Sequence, residues 1–107
     1  MFLINRAKEA GYYIQCIYVL THNPDINVAR VKGRVATGGH GVPEEKIRTR
    51  YYRALSLIPQ LNQLCDELLI YDNSDVPVLI YSRNKTDQQF LPSALWPEDR
   101  IKTLLKI

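Results

Sequence analysis

Between positions 12 and 20 the chain reads Tyr-Tyr-Ile-Gln-Cys-Ile-Tyr-Val-Leu. Tyr12, Ile14, Cys16, Tyr18 and Leu20 would line one face of a strand, and Tyr13, Gln15, Ile17 and Val19 the other. Both faces are largely apolar, which predicts an inner strand of a parallel sheet with helices on either side. A helix is predicted over 2–10, stopped by Gly11. It starts almost at Met1 with no cap, as an element missing its upstream part would. After the strand, Asn23 is placed to cap a helix whose first position is Pro24, followed by Asp25, an acid suited to the helix dipole. Val28, Val31 and Val35 form its apolar stripe, and Gly38-Gly39 ends it. Gly33 inside costs about 1 kcal/mol relative to alanine, so this helix depends on packing.

Helical spacing returns over 43–65, where Ile47, Tyr51, Ala54, Ile58, Leu61 and Cys65 mark one buried face. Pro59 lacks a backbone donor and crowds the preceding turn, so a kink is expected there. Glu44 and Glu45 fit the positive end of this helix better than an acid/base pair. Short strands follow over 68–72 and 78–81, with Asn73-Ser74-Asp75 as a turn between them. Residues 83–92 read as a polar loop, and 97–106 as a terminal helix with Glu98 and Asp99 in its first turn. Strands separated by helices imply an α/β layered domain with a small, mainly parallel sheet flanked by helices.

A length of 107 residues allows one small domain. A formal charge of +3, not gathered into one run, gives nucleic-acid binding little support. The apolar runs are too short to span a bilayer, and the first residues lack the order of a signal peptide. A cytoplasmic protein with Cys16 and Cys65 as reduced, buried thiols is expected. His22 has no Cys, Asp or His partners at ligand spacing, so no metal site is expected. The tyrosines read as core or core-edge residues, Tyr12 and Tyr18 among them.

The densest chemistry lies over 38–53, Gly-Gly-His-Gly-Val-Pro-Glu-Glu-Lys-Ile-Arg-Thr-Arg-Tyr-Tyr-Arg. A glycine-rich connection feeds a helix bearing Arg48, Arg50 and Arg53. Together with Ala7-Lys8-Glu9-Ala10-Gly11-Tyr12, Ala29-Arg30-Val31, Arg34-Val35 and Tyr71-Asp72-Asn73-Ser74, this ordered set resembles the C-terminal half of zeta-toxin-like P-loop kinases or ATPases. These belong to bacterial toxin–antitoxin systems. The resemblance covers about residues 3–75, and its domain would extend over 1–82, with 83–107 a loop and helix that match nothing in the family. It implies a partial P-loop NTPase fold, with ATP and magnesium as cofactors of the complete enzyme and a small acceptor such as a nucleotide sugar. No Gly-x-x-x-x-Gly-Lys-Ser/Thr stretch occurs in the sequence, and the acidic catalytic base is missing too. Such a chain alone is expected to be inactive and to hold ATP weakly.

By resemblance, Arg48 and Arg50 belong to a lid over 37–53 and neutralise transferring phosphate. The competing reading is a solvated basic face. Gly39 and His40 would meet nucleotide when the lid closes, His40 being otherwise a loop or capping histidine. Asn73 and Ser74 would form part of the adenine-side wall, beyond the carboxyl end of a strand, or else a turn in which Asn and Ser bond their own backbone. The glycines predict mobility over 37–42. The expected partners are an upstream half carrying the phosphate loop, an antitoxin, or a second copy of the chain. That last expectation comes from the strand over 12–20, which no proline or lysine guards if it lies at a sheet edge. The alternative function is a non-enzymatic module that dimerises or docks on another protein.

Overall fold

The computed structural model describes residues 2–36, 38 and 41–107. Nine elements follow in order: α1 (Phe2–Glu9), β1 (Gln15–Leu20), α2 (Pro24–Ala36), α3 (Glu44–Ser56), α4 (Ile58–Leu64), β2 (Glu67–Asp72), β3 (Val78–Arg83), β4 (Gln88–Phe90) and α5 (Glu98–Leu105). They form an α/β unit around one sheet of order β1-β2-β3-β4. β1 and β2 run parallel, Cys16 beside Leu68 and Leu20 beside Asp72. β2–β3 and β3–β4 are antiparallel. The sheet is therefore mixed, correcting the expectation of a mainly parallel one. Only the β1–β2 connection is long enough to carry crossover helices, whereas short turns join the later strands and force reversal.

β1 is an edge strand instead of an inner one. Its burial alternates, with Cys16 and Tyr18 packed toward the core while Ile17 is 58% and Val19 56% exposed. Tyr12 lies outside the strand and is 69% exposed, against the expectation that it faces the core. Residues 12–14 precede the strand: Ile14 is held by bonds with Asp66 and Glu67 and Tyr13 reaches Glu67, while Tyr12 stays in solvent.

A register shift between Ile70 and Tyr71 leaves Ile80 as an extra residue on β3. Such a bulge lets consecutive side chains turn the same way, and Ile80 and Tyr81 are both fully buried. β4 lies where the pattern predicts a polar loop. Gln88 and Gln89 carry no apolar alternation, and the strand exists through pairing with β3 and the Tyr81–Phe90 ring contact. The predicted helix over 43–65 is two helices, broken at Leu57. Pro59, in the first turn of α4, has no N–H to continue the ladder.

The core gathers Leu20, Ile58, Leu68, Ile70, Ile80, Tyr81, Trp96, Ile101 and Leu105. α4 and α5 thus cover one face of the sheet, and Trp96 and α5 belong to the same core as the earlier elements. Arg83 fastens the end of α4, donating from Nη2 to the carbonyls of Asn62 (2.7 Å) and Cys65 (2.6 Å). Such carbonyls have no partner within the helix. Cys16 and Cys65 are both free, Cys65 being buried. Among the described residues no helix is long and apolar enough to cross a membrane.

Candidate functional site

The parallel pairing brings the carboxyl ends of β1 and β2 side by side. Beyond them, the Asn73 N–H donates to the Leu20 carbonyl (2.7 Å), holding the two exits together. Asp72, buried at the end of β2, accepts from both the backbone N–H (3.1 Å) and the hydroxyl (2.5 Å) of Ser74. The Ser74 oxygen in turn accepts the His22 N–H (2.9 Å) and lies 2.8 Å from His22 Nδ1. With its own proton given to Asp72, Ser74 requires the proton of His22 on Nδ1. Two further bonds pin the exit of β1. Tyr51 donates its hydroxyl to the Thr21 carbonyl (2.6 Å), and Arg100, stacked 3.9 Å over the Trp96 ring, donates to the His22 carbonyl (2.5 Å).

α2 leaves this anchored point at once. Asn23 Oδ1 accepts the Asp25 N–H (2.8 Å), the expected cap, with Pro24 at the first helical position. α3 returns alongside α2, and the two helices and the end of β1 enclose a cavity of about 490 Å³. Tyr18, Leu20, Val31, Ile47, Tyr51 and Leu55 give it apolar walls, and Thr21, Asn27 and Asn73 add polar atoms. Three arginines line it: Arg30 and Arg34 from α2, and Arg50 from α3. Among the described residues no aspartate or glutamate lines it. Burial raises the phenols of Tyr18 and Tyr51 above their ordinary value, so both stay neutral at the cavity wall.

Arg30 donates from Nη2 to the Asn73 (2.6 Å) and Ser74 (3.3 Å) carbonyls. Arg50 has no hydrogen-bond or ion-pair partner among the described residues. An anion with an apolar body fits such a lining: guanidinium forks meet phosphate or carboxylate oxygens, and the walls take the rest.

The structure separates Arg48 from Arg50, the two arginines expected in a lid. Ile47, Arg50, Tyr51 and Ala54 recur at i, i+3, i+4 and i+7 and all line the cavity. Arg48 does not line it. Its Nη2 lies 2.6 Å from Asp25 Oδ1 and 2.9 Å from Glu44 Oε1. That guanidinium, with Lys32, holds the Glu44 carboxyl below its usual range. Arg48 thus stands outside the cavity lining, with Nη2 and Nε turned to Asp25 and Glu44. Asn73 lines the cavity, whereas Ser74 sits behind it in the Asp72–His22 network. Gly39 and His40 lie outside the described residues, as does Thr37, so the expected contact to nucleotide and half of the connection over 37–42, for which mobility is expected, fall there. Val42, which leads into α3, reaches the cavity.

Asn27, Arg30 and Arg34 were not among the site residues expected from sequence. Their spacing of i, i+3 and i+7 puts them on one face of α2, a polar stripe beside the valine stripe that could have marked them. Thr21 and His22 gave no such signal, since their roles come from partners about 30 and 52 residues away. Among the described residues no group of three or more His, Cys, Asp or Glu is placed to hold a metal ion.

No family model matches the chain, and no solved structure matches it. An uncharacterized protein of Haemophilus influenzae (strain ATCC 51907 / DSM 11121 / KW20 / Rd) is 42% identical over 45 residues. The match covers 42% of this chain and 32% of that relative, so it spans about a third of the relative's length.

Proposed function

We propose that this chain is the C-terminal portion of a zeta-toxin-like P-loop kinase or ATPase, and that the cavity beyond β1 and β2 takes the phosphate groups. The supporting observation is the meeting of Arg30, Arg34 and Arg50, from two helices, on a cavity without carboxylates at the carboxyl ends of parallel strands. Ligands of open α/β sheets bind at such ends. In this reading Arg50 neutralises charge on a transferring phosphoryl group, Arg30 and Arg34 hold neighbouring phosphates, and Asn73 belongs to the nucleotide wall. ATP with magnesium supplies the phosphoryl group, and the acceptor is a small molecule such as a nucleotide sugar. The phosphate loop and catalytic base come from another polypeptide segment, and an antitoxin is the natural restraint. The two free thiols, Cys16 and Cys65, fit a cytoplasmic setting.

Titration calorimetry tests this reading. Without the backbone cradle and lysine of a phosphate loop, ATP is expected to bind the chain no better than about millimolar, near −4 kcal/mol. Inorganic pyrophosphate is expected to bind in the same range, through the arginines. Micromolar, magnesium-dependent ATP affinity, or the absence of any pyrophosphate binding, overturns it.

A second reading, a non-enzymatic dimerising module built on the same fold, is favoured by one observation. β1 is an open sheet edge, and its outward side chains Ile17 and Val19 are exposed.

A further inference from the structure

The cavity confronts α2 and α3 with like charges. Arg30 and Arg34 on one helix and Arg50 on the other line the same space, and among the described residues no carboxylate lines it with them. Arg30 is held by neutral carbonyls only, those of Asn73 and Ser74. Val28, Val31 and Ile47 give the two helices an apolar contact, and a polar contact adds to it on another side. About 200° around α3 from Arg50, the opposite arrangement exists. Arg48 Nη2 bridges Asp25 Oδ1 in the first turn of α2 (2.6 Å) and Glu44 Oε1 in the first turn of α3 (2.9 Å). Arg48 Nε adds a second bond to Glu44 Oε1 (3.2 Å), and Lys32 from the middle of α2 reaches Glu44 Oε2 (3.7 Å). Two acids and two bases thus join the helices on the face away from the arginine-lined space. A single exposed pair contributes little, but charges that share partners act as a network.

We propose that Arg48, with Asp25, Glu44 and Lys32, is an electrostatic latch that holds α2 against α3 and so sets how readily the arginine cavity accepts a multiply charged phosphate anion. The latch opposes the repulsion between Arg30 and Arg50. An oligophosphate removes that repulsion and reinforces closure from within. Arg48 is then a positioning residue, acting on the site through the spacing of the two helices. The anion part of the inference rests on the phosphate reading above; the latch itself does not.

Amide hydrogen exchange on the full chain at low salt, read by mass spectrometry, tests it with three proteins: wild type, Arg48→Glu, and the swapped pair Asp25→Lys with Arg48→Glu. Arg48→Glu is expected to speed exchange across residues 24–36 and 44–56 by about tenfold, while β2 amides keep their wild-type rates. The swapped pair restores attraction between the helices and is expected to return exchange to within about twofold of wild type. Millimolar inorganic pyrophosphate is expected to slow exchange in those helices more in Arg48→Glu than in wild type. Unchanged exchange in Arg48→Glu, or a swapped pair as open as the single variant, overturns the latch. Opening and reclosing as expected, with pyrophosphate inert on all three proteins, upholds the latch and overturns the phosphate reading instead.

Discussion

The Tyr51 hydroxyl donates to the carbonyl of Thr21 across 2.6 Å, joining the middle of α3 to the first residue beyond β1. This buried bond fixes where α3 lies against the strand end, and with it the depth of the cavity that both residues line. Its neighbour Tyr52 is exposed and meets Tyr51 edge-on, with ring centroids 5.2 Å apart.

Tyr51→Phe keeps the ring but leaves the Thr21 carbonyl without this donor. A loss of about 1 kcal/mol is expected, read as a lower urea midpoint at unchanged slope. Tyr52→Phe, at an exposed position, is the matched control and should stay within about 0.5 kcal/mol of wild type. Equal effects of the two substitutions would remove the Tyr51–Thr21 bond from the account of how α3 is placed.

Arg50→Ala is expected to weaken pyrophosphate binding about tenfold, or about 1.4 kcal/mol, without shifting the melting temperature. The reason is structural: Arg50 makes no bond that the fold depends on, yet it lines the cavity. If a complementing phosphate-loop half restores phosphoryl transfer, the same variant should lower that rate at least about tenfold. An unchanged affinity in calorimetry takes Arg50 out of the site.

Stability should fall on the alkaline side, beginning near pH 9. Burial first, and then the neighbouring Cys16 thiol, raises Cys65 from its ordinary 9.0 to about 11. Between those values the unfolded chain loses this proton while the native state keeps it, so unfolding is favoured as pH rises. The contribution is complete below pH 9 and declines toward pH 11. Tyr18, Tyr51 and Tyr81, raised above 10.0 chiefly by burial, act in the same direction at higher pH. Melting temperatures recorded from pH 7 to about pH 11 check this, and Cys65→Ala should shallow the early part of the decline. A flat profile through pH 10 would contradict the burial argument.

The open edge of β1 makes a sharper statement about assembly. Its six residues include no charge and no proline, the usual guards against edge pairing. Light scattering at tens of micromolar is expected to show a dimer or larger assembly. Ile17→Lys, which places a charge on the exposed face outside both the core and the cavity, is expected to shift it toward monomer. A clean wild-type monomer rules out self-pairing through this edge.

The sequence alone determined the local features whose causes are local. The Asn23 cap, the Pro24 start of α2, the acidic first turn of α3, the break near Pro59 and the terminal helix follow from short-range chemistry within a few residues. Membership of the buried face through Tyr51, Ile58, Leu61 and Cys65 was equally legible, because helical periodicity reports burial directly. Tertiary structure decided the rest. Both faces of the stretch over 12–20 are apolar, so pattern could not tell an inner strand from an edge strand. Only the order β1-β2-β3-β4 shows that β1 is an edge strand, and only the packing leaves Ile17 and Val19 more than half exposed. β4 has no pattern of its own and exists because β3 offers it an edge. Arg48 and Arg50 were alike as letters. Their separation into a surface ion pair and a cavity lining came from which side of α3 meets α2 and β1, and Arg30 and Arg34 joined Arg50 only when α2 folded back beside α3. Electrostatic partners are set by distance in space, and a sequence carries distance only along the chain.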